Sequence, residues 1–325
     1  MVSPGLSPAD ITQQSSCYAL KAGRVFTFND EVFCRAKTGL DESITGAVKA
    51  APLTRVLQKM PEDEVEVMIE GSDLVVKGKR RAARIHLEAD ILLEIGKIEK
   101  PSQWSKLPED FGEAIEMVVD SAATNNETNF ALTCIHIHPE WVEACDNLQM
   151  CRYRTKTGVK QSVLVRRDSI KSITALGMTE FSETDSWIYF RNPAGVILAC
   201  RRFLESYPDL YTEMNFKGEK AVLPKGLGSA CEVAGIFSEE YTDNNRVHID
   251  IRPGDVRVKG VGTSGSYSEV KKIKYSGKPM AFSINPKLLE NLVKKHVDCE
   301  LTIGKLKVTG PKFIYCVSLY INKAA

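Results

Sequence analysis

An α+β chain built from six repeated units, each a short helix followed by antiparallel strands, is what this 325-residue sequence predicts. Two observations carry the prediction. A run of alternating apolar residues, a tight turn and a second alternating run recurs six times, and an amphipathic stretch of about ten residues precedes most copies. Composition agrees, because 43% hydrophobic and 26% charged residues can fill and coat a globular core.

The clearest copy is 64–78. Val65, Val67 and Ile69 alternate with polar neighbours, Gly71-Ser72-Asp73 turns the chain, and Leu74 and Val76 alternate again. The pattern returns at 246–260, where Val247, Ile249 and Ile251 lead through Pro253-Gly254-Asp255 to Val256 and Val258. It returns at 300–310, where Leu301 and Ile303 precede a turn at Gly304-Lys305 and then Leu306 and Val308. Looser copies turn at Ala22-Gly23, at His138-Pro139 and between Asn192 and Gly195. The turns are roughly 50 to 70 residues apart, near the upper end for internal repeats.

Helices are expected ahead of the hairpins. Residues 52–60 open on a first-turn proline and stop before Pro61. Residues 167–176 end at Gly177, a natural cap. Residues 286–296 follow Asn285, a good N-cap, and place Leu288, Leu289, Leu292 and Val293 on one face. Residues 111–119 and 227–236 fill the same place in repeats three and five. Repeat one offers only 8–15, short and weakly helical.

Lys and Arg number 43 against 42 for Asp and Glu, a formal charge of +1. Taken whole, that balance argues against a nucleic-acid binder. Sorted by repeat, it reads differently. The helices of repeats two, four and six carry Arg55 and Lys59, Arg167 and Lys171, and Lys287, Lys294 and Lys295. The helix region of repeat three instead holds Glu109, Asp110, Glu113 and Glu116. Cations at equivalent places in a repeat gather on one surface, while anions elsewhere cancel them in the total.

Patterns that would announce an enzyme are weak. His136 and His138 face one side of a strand, a two-ligand metal geometry, but His86, His248 and His296 lie in other repeats, so neither metal nor cofactor is expected. Phosphate-binding and nucleophile-elbow motifs are absent, and the glycine-rich 260–265 follows a hairpin instead of opening a helix. No carboxylate pair stands out as an acid–base couple. Nine cysteines without a CxxC pair suit reduced thiols packed as small hydrophobes in a cytoplasm. Residues 1–14 lack the basic start and apolar stretch of a signal peptide, and no apolar run approaches the ~20 residues of a membrane helix.

Three stretches, in this order and spacing, resemble the bacterial β sliding clamp, the β subunit family of DNA polymerase III. They are 48–78, with its helix, turn and hairpin; Arg202-Phe203-Leu204-Glu205-Ser206-Tyr207-Pro208-Asp209; and 232–251 continued by 276–293. The resemblance runs from about residue 16 to residue 321. It implies a three-domain clamp fold with outer sheets and inner helices, two repeats per domain, divided as 1–102, 103–216 and 217–325. It implies a head-to-tail homodimer ring around double-stranded DNA that tethers a replicative DNA polymerase and is served by a clamp-loader complex. Such a protein is no enzyme, and works in the cytoplasm at the nucleoid.

Residue by residue, the resemblance puts Arg55, Lys59, Arg167, Lys171, Lys287, Lys294 and Lys295 on the channel wall. A cleft for partner peptides would use Phe130, Cys145, Asn147, Leu148, Met150, Asn285, Leu288, Val308, Val317 and Leu319. Ring contact would pair edge strands 82–87 and 267–275 through Ala82, Arg84, Ile85, Val270 and Ile273, with Ile236 and Phe237 packing across. The chain departs from the family in three places. The family's Thr-Asp-Gly-His-Arg-Leu is Cys145-Asp146-Asn147-Leu148-Gln149-Met150 here; its Met- and Pro-rich ending is Val317-Ser318-Leu319-Tyr320-Ile321; and repeat one lacks most of the initial strand, which puts the family's first helix in question. A divergent, phage-type clamp with its own peptide preference fits these departures. Two other readings stand beside it: a β-rich metal-dependent enzyme using His136 and His138, and a structural repeat protein without DNA.

Overall fold

The computed structural model describes residues 2–96, 98–124, 129–238, 246–295 and 297–321, without the side chains of Lys294 and Lys295. Repeat one folds as β1 (Cys17–Lys21), β2 (Arg24–Phe28) and β3 (Val32–Lys37). Repeat two runs β4 (Gly46–Lys49), α1 (Ala50–Lys59), β5 (Glu66–Glu70), β6 (Asp73–Lys77) and β7 (Ala82–Glu88). Repeat three holds β8 (Ser105–Lys106), α2 (Phe111–Val118), β9 (Cys134–His138), β10 (Trp141–Cys145) and β11 (Gln149–Arg154). Repeat four holds β12 (Val163–Arg166), α3 (Arg167–Ile170), β13 (Glu180–Glu183), β14 (Trp187–Arg191), β15 (Ile197–Arg201) and α4 (Tyr211–Met214). Repeat five holds β16 (Glu219–Val222), α5 (Leu227–Ile236), β17 (Val247–Arg252), β18 (Asp255–Gly262), β19 (Gly265–Lys272) and β20 (Lys274–Tyr275). Repeat six holds β21 (Met280–Ile284), α6 (Pro286–Lys295), β22 (Asp298–Thr302), β23 (Lys305–Thr309) and β24 (Phe313–Ser318).

Backbone compactness groups these elements into two units: 1–119, 124–142 and 155–206 in the first, 120–123, 143–154 and 207–325 in the second. The first unit is organised on an eleven-stranded sheet in the order β5-β6-β7-β4-β1-β2-β3-β15-β14-β13-β8. Repeats one and four join where β3 pairs antiparallel with β15, Cys34 opposite Leu198. Side chains alternate across this sheet. Leu20, Val48, Leu74, Val76 and Leu87 meet Leu53 of α1, while Ala19, Phe28, Phe33, Tyr189 and Ala199 meet Leu93 and half-buried Ile91, Ile95, Ile98 and Trp104.

The second unit contains the run β11-β24-β23-β22-β16-β20 and a separate four-stranded sheet, β19-β18-β17-β21. Helix α5 packs on α6 and lies against β18. It is apolar nearly all round because Leu227, Ala230, Cys231 and Ala234 are all buried.

Expectation and structure differ in four local places. Helix α1 starts at Ala50, which leaves Pro52 in its first turn, where no amide hydrogen is missed. The helix expected over 167–176 is one α-turn followed by mixed turns, with Ile173 N bonded to Ile170 O but Leu176 N to Ser172 O. Ile170 and Ile173 are both buried, and anchoring two β-branched side chains three apart tightens the backbone there. Residues 8–15 form bends and turns instead of a helix. Asp10 accepts from Ser16 N and Oγ, and Gln14, at φ 58°, sends its amide to Glu88 Oε2 and Asp90 O. Those side chains spend their polar groups on turns and on β7, which competes with helix formation. The last hairpin turns at Ile303-Gly304, one residue early, because Gly304 takes the left-handed position at φ 80°.

Candidate nucleic-acid interface and docking site

Helix α1 buries Ala50 and Leu53, so the opposite face presents Arg55, Gln58 and Lys59 to solvent. Neither cation has a carboxylate partner among the described residues. Helix α6 buries Leu289 and Leu292 and exposes Lys287; the side chains of Lys294 and Lys295 lie outside the described residues. Repeat four departs from this arrangement. Arg167 is half-buried with Nε donating to Val119 O at 2.9 Å, and Lys171 is neutralised by Asp168 at 2.7 Å. The Lys171 ammonium in turn holds the Asp168 carboxyl below its usual range. On α2, Glu113 and Glu116 are exposed beside Glu109, while Asp110 accepts from Thr155 Oγ1 at 2.6 Å. Of the expected lining cations, Arg55, Lys59 and Lys287 are exposed and have no carboxylate partner among the described residues.

The expected edge strands are partly edges. Strand β19 pairs with β18 along its whole length and terminates its sheet. Strand β7 is internal by order, yet β4 touches it only at Leu87 and Glu88, so 82–86 carry no second backbone partner among the described residues. Ala82 and Arg84 are exposed, whereas Ile85 turns inward onto the α1 core. Near β19, Ile236 is 61% and Val270 50% exposed, and Phe237 stacks on Tyr267 with ring centroids 6.5 Å apart. Ile273 is corrected: at 6% exposure it is buried where the chain leaves β19 for β20, and it offers nothing to a partner.

The residues expected to dock a peptide in the second unit form a ledge tied together by backbone hydrogen bonds from 318–320, at and just past the end of β24. Leu148 O accepts from Ser318 N at 2.7 Å, Gly304 O from Leu319 N at 2.8 Å, and Ser283 O from Tyr320 N at 2.9 Å. The loop before β11 is pinned from beneath. Asp146 Oδ1 accepts from Leu148 N and Gln149 N, and the buried Gln149 amide donates to Asp120 O at 2.8 Å and Asp146 Oδ2 at 3.1 Å. Tyr315 OH donates to Gln149 Oε1 at 2.5 Å, and burial pushes the Tyr315 phenol up, keeping it a donor. Asn147, Leu148, Met150, Asn285 and Leu288 remain at or near the surface. Val308 and Val317, 1% exposed each, together with Cys145 and Leu319, are core residues and are withdrawn from the docking surface. Burial pushes the Cys145 thiol up to about 11, and Tyr207 OH donates to its Sγ. Phe130 belongs to the first unit, where it packs edge-on against Phe203 at 4.8 Å beneath Arg166.

Sequence reasoning missed Gln149, Tyr315, Arg246 and Tyr320 as parts of this ledge. Gln149 left a weak signal, a polar residue between two apolar strand positions; the others left none. Tyr315→Phe leaves the Gln149 carbonyl unsatisfied inside the unit, and is expected to cost about 1–3 kcal/mol in urea unfolding. An unchanged midpoint would remove this network from the account.

His136 and His138 have no third metal-ligating side chain beside them among the described residues. Their rings are 6.2 Å apart, His138 stacks on Trp141 at 3.5 Å, and its Nδ1 accepts from Glu140 N. Among the described residues no group of three His, Cys, Asp or Glu side chains is placed to hold an ion. His86 is exposed beside Asp73, His248 contacts Ser283 Oγ, and His296 lies outside the described residues. All nine cysteines are buried and unbridged.

No family model matches the sequence, and no curated protein matches it. Solved structures do. The DNA polymerase III β subunit of Thermotoga maritima is similar at TM-score 0.82 and 16% identity, covering 99% of this chain and 95% of that one. The β subunit of Pseudomonas aeruginosa is similar at TM-score 0.78 and 14% identity, covering 98% and 95%. The pol III β of Caulobacter crescentus is similar at TM-score 0.77 and 15% identity, again covering 98% and 95%. The chain has the fold of these sliding clamps.

Proposed function

We propose that this chain is a DNA sliding clamp: two copies close head to tail around double-stranded DNA and tether a replicative DNA polymerase, with a clamp-loader complex opening the ring. The observation that carries the reading is the likeness to β clamps over 98% or more of this chain and 95% of theirs, so every repeat has a counterpart. The domains are 1–102, 103–216 and 217–325, two repeats each. The role asks for no chemistry on a substrate. It asks for a closed ring, a wall that attracts phosphate without reading bases, and a place for a partner to hold on.

Each demand has residues behind it. Arg55, Lys59 and Lys287 are surface cations on helices with no ion-pair partner among the described residues, suited to exchanging counterions for phosphates along any sequence. The free edge of β19, flanked by exposed Val270 and Ile236, suits strand addition to 82–86 of a second copy. The ledge of Asn147, Leu148, Asn285 and Leu288 suits a short peptide from the polymerase or loader. The site of action is the cytoplasm, at the nucleoid.

The test is topological. Protein loaded on nicked circular DNA is expected to stay through gel filtration and to leave once a restriction enzyme linearises the circle. Equal retention on both forms would sink the clamp reading. Sedimentation is expected to give about twice the 36.1 kDa chain mass, and Val270→Glu with Ile236→Glu to return single chains.

A further inference from the structure

We propose that Arg246, seated on Tyr320, reads an acidic side chain in the peptide that docks on the second-unit ledge; the inference rests on the docking reading and adds the partner's chemistry to it. Arg246 stands just before β17, whose first residue, Val247, pairs with Ile284 of β21. Its guanidinium lies 3.3 Å from the centroid of the Tyr320 ring. Its Nε is shut away from water without a hydrogen-bond partner, and no carboxylate of a described residue pairs with it. A guanidinium keeps its charge, so this half-buried cation is unmatched by any carboxylate of the described residues. The stack on Tyr320 fixes its plane and leaves the outer fork of N–H groups to a carboxylate, which it can hold through two parallel bonds.

The surroundings select a peptide side chain as the source of that carboxylate. Tyr320 pairs with Ser283 through two backbone hydrogen bonds, which puts Arg246 beside the junction of β21 and α6, where Asn285 and half-exposed Leu288 sit. Ile321, 47% exposed, follows directly. The cation is thus bordered by apolar and amide groups, the setting of one acidic residue within an otherwise apolar segment. The amide hydrogens of Ser318, Leu319 and Tyr320 are already donated to Leu148, Gly304 and Ser283. A docked peptide therefore gains no β-pairing from them, and side-chain contacts set the preference.

Positional-scanning libraries of acetylated hexapeptide amides, with Asp, Glu, Asn or Gln fixed at each position in turn, test this on the full-length chain. Wild type is expected to bind the Asp or Glu library at one position about tenfold better than its amide counterpart, the scale of one charge-assisted pair. Arg246→Gln is expected to reduce that ratio to about twofold or less with an unchanged melting temperature, and Arg246→Lys, which lacks the planar fork, to fall between. Equal binding of acid and amide libraries by wild type overturns the proposal, as does a preference that survives Arg246→Gln. A preference seen only for peptides with a free C-terminal carboxylate overturns the side-chain source. Binding of no library by wild type is a different failure and removes the docking ledge itself.

Discussion

Arg55→Gln, Lys59→Gln and Lys287→Gln combined are expected to weaken DNA association at low salt by about two to three orders of magnitude, and to flatten its salt dependence. Each phosphate neutralised contributes about 0.9 to the slope of log K against log salt, and the proposed ring of two chains would lose three cations from each. The slope is therefore expected to drop by up to about 5. These three residues are exposed without carboxylate partners among the described residues, unlike Lys171, which Asp168 already neutralises, and Arg167, which Val119 O holds. Lys171→Gln alone is accordingly expected to change little. Glu113→Gln with Glu116→Gln on α2 carries the opposite sign and is expected to strengthen association modestly. Discrimination between circular and linear DNA is expected to survive all of these changes, since closure and not charge provides it. A triple variant with the wild-type slope would make these cations an ordinary solvated face.

Gly260→Ala is expected to destabilise the second unit by about 3 kcal/mol, at the severe end for overpacking by one methyl. A Cβ on Gly260 would stand 1.9 Å from Ala234 O and 2.9 Å from Ala234 Cα. Both atoms are backbone in the last turn of α5, so no rotamer change relieves the clash; the helix must lift off β18. Lifting it also disturbs the contact with α6, where a Cβ on Gly228 would stand 3.4 Å from Glu290 Cα. Gly254→Ala is the contrast, because that glycine is needed for its turn conformation and not for space, its added Cβ meeting nothing within 4 Å. Urea unfolding of both variants separates the two mechanisms. A Gly260→Ala midpoint equal to wild type would mean that α5 does not sit directly on β18.

Most of the secondary structure was legible because its causes are local. Alternation in Val65, Val67 and Ile69 implies a one-sided strand before any neighbour is known, and Gly71 at φ 64° turns where a left-handed residue is needed. Amphipathic helices were found for the same reason, and α6 starts at its expected residue, Pro286. Charge sorting by repeat pointed to helix cations that the +1 total conceals. The helix of 167–176 was overdrawn because buried contacts of Ile170 and Ile173, not propensity, decide its pitch. Residues 8–15 do not form a helix because Gln14 is captured by Glu88 and Asp90, far away in sequence.

The candidate sites were less legible. Position in a strand says which face a side chain takes, but not whether another layer covers that face. Val308 and Val317 are therefore core although their places in the chain suggested a docking cleft, and Ile273 is buried although it neighbours an edge strand. The sequence by itself determined the repeats, their hairpins and the helix faces that carry charge, since these follow from periodicities of two and 3.6 residues. Only the tertiary structure decided which strand edge stays unpaired, which expected contact residues are sealed inside, and that Arg246 rests on Tyr320. Those outcomes depend on groups brought together from distant parts of the chain, and no local pattern encodes such a meeting.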